Sequence, residues 1–93
     1  MNRGIDIGEA PVDLMAGLGL EVNQAYQIQL HGRSRVWIGE FSSPPVPGQD
    51  EANAFSLNSR EQTYYTITPS SDGTIYAWTD QGSSNRIVAN EAS

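Results

Sequence analysis

His31 is the single histidine among 93 residues, and no cysteine accompanies it. One imidazole with no thiol leaves a His/Cys zinc site short of ligands. It also leaves a Ser-His-Asp site unsupported, because no G-x-S-x-G is present. His31 stands beside Gly32 in HGRS (31–34), which reads as a turn, so an ordinary turn residue is expected there. Acidic side chains are the other source of chemistry. Asp50 and Glu51 adjoin in a proline-rich stretch, and Asp72 and Asp80 stand in turn sequences. Calcium needs several converging oxygens, and no D-x-D-x-D spacing occurs, so these acids read as turn formers. A carboxylate pair for glycoside hydrolysis converges only in three dimensions, and a chain this short leaves little material for a cleft around it. AGLGLEVN (16–23) carries two glycines two apart without the full dinucleotide fingerprint, and no N-x-[ST] acceptor is present. This reading assigns no catalytic, metal or cofactor residue, and an enzyme is not expected.

The totals point to one small domain. Eleven acidic residues oppose five basic ones, all arginine, for a net charge of −6. Nucleic acid and anionic lipid attract cationic surfaces, so neither is an expected partner. The apolar fraction is 38% and the charged fraction 17%. Ser, Thr, Asn, Gln and Gly fill the remainder, a balance that favours turn-rich β structure. Residues 1–20 show no basic start followed by an apolar run, since Asp6, Glu9 and Asp13 interrupt it. The expectation is therefore a product made in the cytoplasm, with neither signal peptide nor membrane helix.

Residues 1–13 combine two glycines, a proline and four charged residues with few apolar ones. They read as an extended arm ahead of a single β domain at 14–93, with Ile5 and Ile7 as candidates for docking on a neighbour. LMAGLGLEV (14–22) has helical spacing, but Gly17 and Gly19 disfavour a helix interior, so loop and strand approach are expected. Tyr26, Ile28 and Leu30 alternate with glutamines, and Val36 and Ile38 follow the HGRS turn, which predicts a hairpin. Pro44, Pro45 and Pro47 exclude a central strand from 42–53, leaving a stiff loop from one sheet to another. Short strands at Ala54–Leu57 and Gln62–Thr68 follow, with NSRE (58–61) as the turn between them. SSDG (70–73) signals a hairpin into TIYAWTD, and QGSSN (81–85) turns into a final strand. The whole predicts an all-β fold: a small antiparallel sandwich or barrel of about six to eight short strands with a flexible N-terminal arm.

Which side chains face inward is argued from area. Tyr and Trp bury about 150–250 Å² each, worth several kcal/mol at about 25 cal/mol per Å². Tyr76 and Trp78 are thus expected inward, in preference to Ile75 and Ala77. The expected core is Tyr26, Ile28, Leu30, Val36, Ile38, Tyr65, Ile67, Tyr76 and Trp78. Trp37, of opposite parity to Val36 and Ile38, and Tyr64 are the candidates for an exposed interface or a glycan-stacking platform.

AYQIQLHGRSRVWIGE and the segment from FSLNSRE to the C-terminus carry a resemblance. The matching stretches are Tyr26–Gln29, Val36–Glu40, the Pro44–Gly48 loop, the Y-x-W-T strand Tyr76–Thr79 and the apolar strand Arg86–Ala89. Across roughly residues 22–91 the chain resembles small structural proteins of tailed bacteriophages and prophages. The resemblance implies a noncatalytic virion component that decorates, stabilises or joins larger parts, as a homo-oligomer in contact with other virion proteins. Its layout has no fixed pattern at TYYTIT (63–68), which leaves the role of Tyr64 open. The alternative reading is a β-sandwich carbohydrate-binding module whose partner is a glycan stacked on Trp37 or Tyr64.

Overall fold

The computed structural model describes residues 3–32, 35–58, 64–79 and 85–91. They form eight strands: β1 (Arg3–Ile7), β2 (Val12–Asp13), β3 (Tyr26–His31), β4 (Val36–Phe41), β5 (Phe55–Leu57), β6 (Tyr64–Ile67), β7 (Thr74–Thr79) and β8 (Asn85–Glu91). A five-residue helix, α1 (Leu14–Leu18), lies between β2 and β3. All strand pairs are antiparallel, in two sheets ordered β1-β8-β3-β6 and β2-β7-β4-β5. This is the strand order of the jelly roll, two Greek keys wrapped into a sandwich. The predicted all-β sandwich is therefore what the chain forms.

The core lies between the sheets. β3 and β8 contribute Tyr26, Ile28, Leu30, Ile87 and Ala89, and β4 and β7 answer with Val36, Ile38, Ile75 and Ala77. Tyr26 is fully buried, yet its phenol oxygen accepts from the Glu21 N–H at 2.9 Å, so its polar tip stays satisfied. Residues 3–7 depart from the expected arm. They pair along β8 from Arg3↔Ala89 to Ile7↔Asn85, and Ile7 is only 3% exposed. Two isoleucines are too few to hold a free segment, but a five-residue ladder on β8 supplies what they lack.

LMAGL is helical, against expectation, because both of its ends are capped. Asp13 accepts from the Ala16 N–H at 3.1 Å, and Gly19 takes the left-handed cap at φ 68°. Gly17 provides room for a neighbour: a Cβ there would lie 2.5 Å from Ile5 Cδ1. Both glycines therefore serve the helix that propensity alone argues against. Leu14 and Leu18 enter the core, and α1 packs on β1, β2 and β7. β1 and β2 are edge strands of their sheets, so α1 closes that lateral opening of the sandwich.

The expected connections are corrected. HGRS joins β3 to β4 and SSDG joins β6 to β7, but each pair is split between the two sheets, so neither is a hairpin. β7 and β8 are split in the same way. The proline-rich loop does the reverse, linking β4 to β5 as neighbours in one sheet. His31 ends β3 opposite Arg86 and is not a turn residue. Most of NSRE and QGSSN, together with Arg33, Ser34, Gln62, Thr63 and Asp80, falls outside the described residues.

The inward face of β7 is also the opposite of the one expected. Ile75 and Ala77 face the other sheet, while Trp78 lies on the outer face and is nevertheless 0% exposed. The loop after β4 folds over that face and makes a second apolar layer. Trp78 stacks on Trp37 at 6.5 Å and meets Phe41 at 5.9 Å, and its indole N–H donates to Glu51 at 2.8 Å. Tyr76, on the same face, is only half-buried. Trp78 is buried as its area demands, but in an outer layer rather than between the sheets, because the loop gives the chain a second interior.

Candidate functional site

The lateral opening opposite α1 lies between β5 and β6, the other two edge strands. A pair of rings spans it. Phe55 of β5 and Tyr65 of β6 lie with centroids 3.9 Å apart, tilted by 32°. With Ile38, Ile67 and Ile75 they line a cavity of about 260 Å³ that opens at the surface. Glu40 stands at the same mouth. It occupies an inward-parity position of β4, after Val36 and Ile38 and opposite Ile75. The N–H and hydroxyl of Ser70 donate to its two carboxylate oxygens, the N–H at 3.3 Å. Ser70 follows β6, so this contact ties the two sheets together beside the cavity. Tyr65 was expected in the core, but at 39% exposure it lines the mouth. An edge strand has no neighbour on its outer side to cover such a ring.

The four interface candidates are not brought together. Trp37 is half-buried on the outer face of the β2-β7-β4-β5 sheet, with one side taken by Trp78 and the Arg35 guanidinium carbon 5.9 Å from its ring centroid. Tyr64, 55% exposed, stands on the outer face of the opposite sheet, across from Gln29. Ile5 is half-buried beside α1. Ile7 belongs to the core and is removed from the interface set. Glu40, Phe55 and Tyr65 were not anticipated as a group. A charge at an inward position of β4 and two adjacent tyrosines on one strand are the sequence signals for them, although nothing in the linear order links positions 40, 55 and 65.

The loop acids act as acceptors within the loop and from Trp78. Asp50 accepts from the Val46 N–H at 2.6 Å, and Glu51 accepts from the Gly48 N–H at 2.8 Å as well as from Trp78. The Gly48 N–H, then the Trp78 indole, hold the Glu51 carboxyl below its ordinary value of 4.5, against the opposing effect of desolvation. A carboxyl lowered by folding contributes stability that is present above its ordinary pKa and lost as the pH falls through the folded value. The thermal midpoint of Glu51→Gln should therefore lie below that of the parent at neutral pH, and the gap should close below about pH 4.5. Thermal melts of both proteins across that range check it.

Among the described residues, no group of three or more His, Cys, Asp and Glu is placed to hold a metal ion. No helix among them is long and apolar enough to cross a membrane. No protein-family model, curated protein or solved structure matches the chain. The described residues thus form an eight-stranded jelly roll with one lateral edge plugged by a helix and the other bridged by an aromatic pair beside a carboxylate and a small cavity.

Proposed function

We propose that this chain is a noncatalytic structural component of a phage or prophage virion, a head decoration or head–tail accessory protein that works through oligomeric protein contacts. The observation that carries the assembly role is the β6 edge. Proteins guard sheet edges with charged side chains, and two of the four edges here follow that rule: β1 carries Asp6 and β2 carries Asp13. β5 is only three residues long. β6 and the residue after it read Tyr-Tyr-Thr-Ile-Thr (64–68), with no charge on a chain of net −6. That segment is where two copies meet with least repulsion, by pairing strands and packing Tyr64.

The virion assignment rests on the resemblance across roughly residues 22–91. The jelly roll adds support by analogy, since viral capsid domains use it, as do lectins and cupins. The carbohydrate alternative is less well supported through Trp37, whose ring is already engaged by Trp78 and Arg35. Sedimentation velocity tests the assembly role. The parent protein should associate as its concentration rises, and Thr66→Lys, which places a charge on the edge, should shift it towards monomer. Association unaffected by Thr66→Lys would remove β6 from the contact.

A further inference from the structure

We propose that the mouth between β5 and β6 receives an arginine side chain presented by another protein. The proposal takes a polypeptide as the occupant from the assembly reading above; the rest follows from the mouth itself. At about 260 Å³ the cavity is smaller than the roughly 300–1,000 Å³ clefts that hold drug-sized ligands, and it suits one long side chain. Ile38, Ile67 and Ile75 offer an aliphatic lining to a methylene stem. Tyr65 keeps ring surface open at the rim, where a planar, weakly hydrated guanidinium stacks better than an ammonium. Glu40 supplies the counter-charge. Ser70 engages each of its oxygens once and so orients the carboxylate, and a carboxylate has about four acceptor positions, enough to take a guanidinium fork as well.

Charge points to a basic occupant. The protein carries −6, and its described arginine side chains are placed elsewhere, Arg35 over Trp37 and Arg86 against Asp6 at 3.2 Å. An acidic surface with a carboxylate at an aromatic-walled mouth attracts a basic segment of a partner.

The test titrates isotope-labelled protein with the blocked tripeptide Ala-Arg-Ala, following backbone amide shifts. It is repeated with citrulline in place of arginine, which keeps the shape and removes the charge. Saturating shifts at Glu40, Phe55 and Tyr65–Thr68 are expected. The dissociation constant should rise about fivefold with the citrulline peptide, and by a similar factor for Glu40→Gln with the arginine peptide. Glu40→Gln keeps an oxygen that accepts from Ser70, and its thermal midpoint verifies the fold. Tyr65→Leu, which retains an apolar wall without the ring face, should weaken arginine binding as well. Equal binding of the two peptides, or shifts that fall elsewhere or never appear, would overturn the proposal. So would a loss of self-association in Glu40→Gln, which would assign the mouth to a second copy. Neither a null titration nor a binding one alters the Thr66→Lys result, so the two readings fail separately.

Discussion

Replacing Trp78 with alanine lowers the unfolding free energy by about 3–5 kcal/mol, the range for deleting a buried aromatic side chain. For a domain of this size, that is a fall of roughly 12 °C or more in thermal midpoint. The effect is large because Trp78 joins two structures. Its ring stacks on Trp37 and meets Phe41, holding together the outer face of its sheet. Its indole N–H is fastened to Glu51, in the loop that covers that face. Trp78→Phe keeps most of the packing but removes the donor. It should cost less than the alanine change, and Glu51→Gln should cost less in that background than in the parent, because the two side chains share one hydrogen bond while the Gly48 N–H bond to Glu51 is common to both. Chemical denaturation of the single and double variants measures both effects. A Trp78→Ala protein within about 1 kcal/mol of the parent would mean that the loop does not cover this face.

The second large effect falls one residue earlier on the same strand. Ala77→Leu should destabilise by about 1–3 kcal/mol through overpacking. Ala77 is 0% exposed, lies across from Val12 and Ile38, and faces the core between the sheets. An outward-facing alanine on a wetted strand would accept leucine within about 0.5 kcal/mol. Substitutions at 77 and 78 point to opposite faces, so losses at both establish that β7 is covered on both sides. Denaturant midpoints read at constant slope are the measurement.

These two positions mark where sequence reading works and where it stops. In β3, Tyr26, Ile28 and Leu30 alternate with wetter glutamines, and that alternation identifies the buried face correctly. Val36 and Ile38 do the same in β4. β7 follows another rule: Ile75, Ala77, Trp78 and Thr79 are all buried, so its two faces cannot be told apart by apolarity or size. The loop over Trp78 was legible as a proline-rich segment that avoids the sheet interior, but its return onto the outer face was not. Turn residues such as Asp72 and Gly73 mark where the chain reverses. They carry no information about which sheet the next strand joins, and here it crosses the sandwich. β1 is missed for a related reason, since Ile5 and Ile7 gain their places from β8 and α1, far apart in sequence. The candidate site is the least legible feature. Glu40, Phe55 and Tyr65 meet only because β5 and β6 are both edge strands on the same side of the sandwich.

Association through the β6 edge is the central claim, and concentration-dependent amide hydrogen exchange tests it most directly. Edge amides exchange through local opening, and pairing with a second strand suppresses that opening. Exchange at Tyr64–Ile67 should slow as protein concentration rises, while exchange at β1, on the opposite edge of the same sheet, stays constant. Thr66→Lys should abolish the concentration dependence. Equal exchange of β6 at all concentrations, with the protein sedimenting as a monomer throughout, would contradict the account.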